Sequence, residues 1–310
     1  MRIVFMGTPE FAVPCLETLH RSDHEVVAVI TAPDKPQGRG LALESSPVKQ
    51  CAVHLGIPVM QPPVLKDPEF LNNLSRLQAD AFVVVAFRML PEVVWSMPPR
   101  GTYNLHASLL PQYRGAAPIN WAIINGETET GLTTFRIRQE IDTGNLAFQE
   151  TEPILPDDTA GSLYERLRQK GAGLMLKTMD ALANGRLPDI PQPTDTSGLK
   201  PAPKIFRETC RIDWSKSASD IRNFIRGLSP YPGAWTTMDG KTIKIHGASA
   251  TEHAATLPFG HGSASPSGGL LVGCGNDTTL ELMEVQPEGK KKMSGQDFLR
   301  GLRQTTTVFT

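Results

Sequence analysis

Arg2-Ile3-Val4-Phe5-Met6-Gly7 is an almost wholly apolar run that ends at glycine, the pattern of a strand buried on both faces of a parallel sheet. Residues 9–21 then carry Phe11, Val13, Leu16 and Leu19 at helical spacing, and a second apolar run follows at Val26–Ile30. The opening therefore reads as a β-α-β unit. Gly7-Thr8-Pro9-Glu10 lacks the second and third glycines that let a backbone approach a pyrophosphate, which disfavours a nicotinamide-dependent oxidoreductase.

The same alternation continues outward. Residues 47–55 predict a helix, 57–60 an extended segment, 67–77 a helix, and 81–86 another apolar strand. Phe87-Arg88-Met89-Leu90-Pro91 leaves that strand at its carboxyl end, where open α/β sheets bind ligands. Thr102–Leu105 predicts a strand, 118–125 a short helix, 133–138 and 147–150 strands, and 159–184 a long amphipathic helix stopped by Gly185. Five prolines between 188 and 203 then predict a semi-extended linker. Beyond Ile205 one helix (218–226) is followed by short strands at 234–238, 241–247, 269–274 and 278–285, with the low-complexity stretch 261–269 among them, which suggests a small barrel. The expected fold class is α/β: an N-terminal Rossmann-like open parallel sheet with flanking helices, followed by a small β-barrel C-terminal domain. The expected division is 1–187, a linker at 188–204, and 205–310.

At 310 residues the chain can hold two cores, and its 40% apolar and 20% charged composition is that of a soluble globular protein. Met1 leads straight into a strand-like run, and no apolar run reaches the roughly 20 residues of a membrane helix, so a cytoplasmic protein with no membrane partner is expected, as a monomer. Cys15, Cys51, Cys210 and Cys274 are scattered without metal-ligand spacing, which suggests neither zinc nor disulfides. A formal net charge of −1 excludes attraction to nucleic acid by bulk charge, so any such partner has to meet local patches.

Chemistry concentrates at residues 104–144. Asn104 and His106 alternate past Leu105 and so project to one side of a strand; Asp142 sits in an Asp-Thr-Gly turn after the next strand. An amide, an imidazole and a carboxylate at neighbouring strand ends suit acyl transfer to an amine: the amide donates to an oxyanion, the imidazole carries a proton, and the carboxylate stabilises its cation or receives a proton. Read from spacing alone, the plainer alternative is favoured, in which His106 caps a strand and Asp142 makes an Asx turn, because isolated His and Asp in loops are common.

The string Asn104-Leu105-His106-x-Ser108-Leu109-Leu110-Pro111-x-Tyr113-Arg114-Gly115, with Asp142-Thr143-Gly144 downstream, resembles the formyltransferases that use 10-formyltetrahydrofolate. Within them it is most similar to the branch acting on methionyl-tRNA, as are Met6–Ala12, Pro33–Gly40, Ile212-Asp213-Trp214 and Ile225–Pro230. The resemblance implies formyl transfer from 10-formyltetrahydrofolate to the α-amino group of methionyl initiator tRNA, with no metal. It implies Asn104, His106 and Asp142 as the catalytic set and Ser108, Leu109, Leu110 and Pro111 as the folate signature, with Leu109, Leu110 and Pro111 expected to shape an apolar wall. Phe87, Arg88, Met89 and Leu90 are implied as a folate-binding loop, although the family usually has Tyr-Gly at Phe87-Arg88. The loop 32–47 is too long and broken for an ordinary α/β connection; by resemblance Lys35 and Arg39 reach the tRNA acceptor arm. Lys290, Lys291 and Lys292 are implied to contact tRNA from an OB-like C-terminal domain. Two other readings stay open: a formyltransferase for a small amine, and a non-catalytic folate- or RNA-binding protein, in which the trio would be broken.

Overall fold

The computed structural model describes residues 1–37, 42–251, 257–265, 268–302 and 306–310. The chain forms two compact units, the first made of Met1–Gly115, Thr130–Glu152 and Tyr164–Lys200, the second of Ala116–Glu129, Pro153–Leu163 and Pro201–Thr310.

The elements of the first half run β1 (Arg2–Gly7), α1 (Val13–His20), β2 (Glu25–Ile30), the hairpin β3 (Lys35–Gln37) and β4 (Ala42–Glu44), α2 (Pro47–His54), β5 (Val59–Met60), α3 (Pro68–Arg76), β6 (Ala81–Val85), α4 (Glu92–Trp95), β7 (Thr102–His106), α5 (Pro118–Ile124), β8 (Glu129–Arg136), β9 (Leu146–Pro153) and α6 (Ala160–Ala183). Their strands make one sheet in the order β5-β2-β1-β6-β7-β8-β9. The five strands from β5 to β7 are parallel, and β8 runs antiparallel to β7. Every residue of β6 is buried, as its unbroken apolar run requires of a strand covered on both faces. On one face Val4, Met6, Phe82, Val84 and Leu90 share a core with Phe70 and Leu74 of α3. α6 reaches β7 closely: a Cβ on Gly171 would stand 2.6 Å from Leu105. Caps match the boundaries, with Ser46 accepting from Lys49 N and Asp67 from Phe70 N.

The second half continues with α7 (Ala218–Gly227), β10 (Ala234–Met238), β11 (Lys241–Thr251), β12 (His261–Ala264), β13 (Leu270–Gly273), β14 (Thr279–Pro287), β15 (Met293–Ser294), α8 (Gly295–Arg300) and β16 (Thr306–Val308). The sheet order is β10-β11-β14-β13-β12-β16, with β15 paired to β14, all antiparallel. It curls as a half-barrel around Trp214, Ile221, Ile225, Ile245, Leu282 and Phe309.

The expected α/β class with a small β second part is the observed one. Differences are local. β8 begins at Glu129 rather than 133, since its first residues are polar or glycine and carry no apolar signal. The 32–47 loop contains the β3-β4 hairpin. β12 lies within the low-complexity stretch and pairs with β16, a contact between distant segments that local pattern does not carry. The four cysteines are free, and burial pushes the Cys15 and Cys274 thiols up to about 12. Among the described residues no helix is long and apolar enough to cross a membrane.

Candidate active site

β7 ends at the carboxyl edge of the parallel sheet, and its pleat sends Asn104 and His106 to the same face. The register puts Asn104 opposite Phe135 and His106 opposite Thr133 on β8. The β8-β9 connection then returns Asp142 to His106, which shares its face of β7 with Asn104. His106 Nδ1 lies 3.7 Å from Asp142 Oδ2, and the two side chains are 8% and 10% exposed.

The other edge of the imidazole is fixed. His106 Nε2 is 2.8 Å from the Tyr113 carbonyl, and a carbonyl only accepts, so Nε2 carries a proton. The Nδ1 edge, facing Asp142, is the one left for chemistry. Asn104, half-buried, has no hydrogen-bond partner for its carboxamide among the described residues. Asp142 is itself anchored, because the Gly115 amide donates to its Oδ2 at 2.9 Å. Its backbone is left-handed (φ 55°), a conformation aspartate tolerates, and Gly144 follows where a Cβ would meet the Arg136 carbonyl at 1.6 Å. The Asp-Thr-Gly turn thus has a steric reason for its glycine.

The loop after His106 is built from inside. Ser108, fully buried, donates to the Gln112 carbonyl at 2.6 Å. Thr133 on β8 donates to the Ser108 carbonyl at 2.6 Å and accepts from the Leu110 amide at 3.1 Å. Gln149 on β9 donates to the Leu110 carbonyl at 2.9 Å. Leu110, expected to help shape an apolar wall, is 3% exposed and packs inward with Phe135 and Leu146. Leu109 is half-buried over Gly131, which has no room for a side chain beneath it, and Pro111 is half-buried.

The segment read as a linker braces the site. Gln192 donates to the carbonyls of Asp142 and Gly144, both at 2.8 Å, and accepts from Arg114 at 2.6 Å. The Tyr113 amide, whose own carbonyl orients His106, donates to the Lys200 carbonyl at 2.8 Å. Thr133, Gln149 and Gln192 were not singled out in the sequence; no spacing rule marks them, because their roles arise from where the chain returns.

In the loop after β6, Phe87 packs on the sheet core, Leu90 is buried in it, and Met89 is 73% exposed. Arg88 turns back, donating to the carbonyls of Pro63 (2.9 Å) and Pro62. Lys35 is exposed on β3, and Arg39 lies outside the described residues. The base of that loop is tied by Asp34, which accepts from Lys49 (2.5 Å) and Gln61 (2.8 Å); the hydrogen bond from Lys49 first, and that from Gln61, hold its carboxyl below the usual range. Lys290, Lys291 and Lys292 are exposed, and Lys292 pairs with Glu284 at 3.0 Å.

An amide, an imidazole and a carboxylate at the carboxyl edge of an open sheet suit group transfer to an amine. The formyl transferase family matches residues 1–179, its C-terminal domain matches residues 204–303, and the chain belongs to that family. It is 50% identical to the methionyl-tRNA formyltransferase of Parabacteroides distasonis over 98% of this chain and 96% of that one. It is 47% identical to the methionyl-tRNA formyltransferase of Bacteroides fragilis, with the same coverage. In fold it is similar to WlaRD, a sugar 3N-formyl transferase solved with dTDP and 5-N-formyl-THF (TM-score 0.67, 20% identity, 94% of this chain and 99% of that one). HypX from Aquifex aeolicus, solved with tetrahydrofolic acid, is also similar (TM-score 0.64, 19% identity, 96% and 47%).

Proposed function

We propose that this chain transfers the formyl group of 10-formyltetrahydrofolate to the α-amino group of methionyl initiator tRNA, in the cytoplasm and as a monomer. The single observation that carries the reading is the meeting of His106 Nδ1 with the Asp142 carboxylate at 3.7 Å, on the strand that carries Asn104, whose carboxamide has no hydrogen-bond partner among the described residues. In the reaction a bond forms between the methionyl nitrogen and the formyl carbon. The bond from that carbon to N10 of the folate breaks, and one proton moves from the attacking amine to N10.

The residues divide this work. Asn104 donates to the oxygen of the tetrahedral intermediate, a contribution of about 3 to 4 kcal/mol for a well-aligned donor. His106 presents its Nδ1 edge to the same centre, while the Tyr113 carbonyl keeps the ring from turning. Asp142 stabilises the imidazolium and receives the proton of the attacking amine on its way to N10. Ser108, Leu109, Leu110, Pro111 and the Phe87–Leu90 loop form the folate side. Lys35 and Arg39 serve the acceptor arm, and Lys290, Lys291 and Lys292 the body of the tRNA. The catalytic domain is assigned to residues 1–187 and the tRNA-binding domain to 205–310, joined by 188–204.

The test is steady-state formylation of methionyl-tRNA by the wild type, His106→Ala and Asp142→Asn. Each variant is expected to lose at least about a hundredfold in kcat, the usual worth of a proton-transfer group, with tRNA binding unchanged. Asp142→Asn keeps the size and removes the charge, so retention of more than about a tenth of the activity would remove Asp142 from the mechanism.

A further inference from the structure

The guanidinium of Arg88 does something that neither its loop nor the sheet core requires. Residue 88 follows β6, whereas Pro62 and Pro63 follow β5, three strands away in the sheet order. Arg88 joins these two strand-end segments: Nη1 donates to Pro63 O at 2.9 Å, Nη2 donates to Pro62 O, and the guanidinium carbon lies 5.5 Å from the Phe87 ring centre. Two adjacent carbonyls without N–H groups of their own are thus held by one planar fork, a geometry that arginine supplies and lysine does not.

The clamp is kept at a cost. Arg88 Nε is sealed from solvent with no hydrogen-bond partner, and burial holds the guanidinium below its ordinary range. Unsatisfied buried donors are rare and call for an explanation outside packing. The backbone tells the same story, because Ala86, at the start of the loop, has φ 47°, unusual for alanine. The segment it grips is tied onward, since Gln61 donates to the Ala32 carbonyl and to Asp34, both at 2.8 Å. The loop after β6 therefore stands at one end of a bonded chain that runs to the base of the loop after β2.

We propose that Arg88 is a positioning residue for the formyl donor: by clamping Pro62 and Pro63 it fixes the main chain of residues 87–90 in the shape the folate side of the site uses. The inference rests on the assignment of this loop to the donor. It differs from a direct ligand role, since the guanidinium is spent on protein carbonyls and what it sets is the backbone beside exposed Met89.

Full kinetics of Arg88→Ala and Arg88→Lys with methionyl-tRNA and 10-formyltetrahydrofolate test this, with thermal unfolding measured alongside. Arg88→Ala is expected to raise the donor KM about tenfold, the worth of one charge-assisted hydrogen bond, with kcat and the acceptor KM within about twofold. Arg88→Lys is expected to restore the unfolding temperature in part but not the donor KM, because one ammonium cannot hold both carbonyls in the fork's plane. A merely structural role predicts instead that KM stays at the wild-type value in both variants while the unfolding temperature falls, and that result overturns the proposal. Equal changes in both KM values and kcat would overturn it too. If the wild type itself formylates nothing with this donor, the donor assignment fails, an outcome distinct from an unchanged KM in an active enzyme.

Discussion

Gln192 holds the turn of Asp142, the carboxylate proposed to be catalytic, without touching its side chain. Its amide bridges the carbonyls of Asp142 and Gly144 while Arg114 donates to its oxygen, so the left-handed Asp142 is fixed by a residue fifty positions away. Gln192→Leu removes all three bonds at similar size and is expected to lower kcat about ten- to a hundredfold, the effect of a displacement near 1 Å at a reacting group. Both KM values should stay near wild type; a loss confined to KM would show that Gln192 serves binding instead. Asp34 gives a pH signature. Its folded carboxyl titrates below its unfolded value, so the stabilising contribution is present above the unfolded pKa of about 3.9 and is lost as pH falls through the lower folded value. The unfolding temperature of Asp34→Asn should therefore lie below wild type at neutral pH and approach it in acid. A gap that widened on acidification would contradict this sign. Asn104 and His106 stand out in the sequence as two polar residues alternating at the end of an apolar strand, but spacing alone favours a strand cap for His106, and the catalytic reading comes from the resemblance. Gln192 does not stand out, because it carries no pattern and acquires its role only when the proline-rich segment returns to the turn.

The loop that follows β7 is an element whose shape is dictated from the neighbouring strands. Thr133 bonds both the Ser108 carbonyl and the Leu110 amide from a fully buried position, and Gln149 reaches both Thr133 and the Leu110 carbonyl. Thr133→Val leaves those groups without partners at constant volume and is expected to cost about 1 to 3 kcal/mol of stability in chemical denaturation. No measurable loss would mean that the loop holds itself. Leu110, expected from the sequence to line the folate site, lies among Phe135 and Leu146, so Leu110→Asp would bury a carboxylate and destabilise the whole first unit rather than alter the folate requirement alone. The strands β1, β2 and β6 could be read because burial on both faces leaves an unbroken apolar run. The start of β8 could not: Glu129, Thr130 and Gly131 serve pairing and the close approach of Leu109, and neither need selects apolar residues.

Across the molecule the balanced charge makes the proposed tRNA binding a matter of few bases. Lys290 and Lys291 are exposed and outside any ion pair among the described residues, whereas Lys292 is held by Glu284. Replacing Lys290 and Lys291 with alanine should weaken tRNA binding and flatten its dependence on salt by about 0.7 to 0.9 per lost phosphate contact, with folate affinity unchanged. Lys292→Ala should do less, and superimposable salt slopes for all proteins would remove these lysines from the interface. Enzymes for very different amines share this fold, among them WlaRD, a sugar 3N-formyl transferase, so the acceptor is what a direct measurement has to decide. The decisive measurement is a competition in one vessel: the protein, labelled 10-formyltetrahydrofolate, methionyl initiator tRNA, glycinamide ribonucleotide and an amino-sugar nucleotide, with label followed into each acceptor. The account predicts label in the methionyl-tRNA and none above background in the small amines; preferential formylation of either small amine would contradict it.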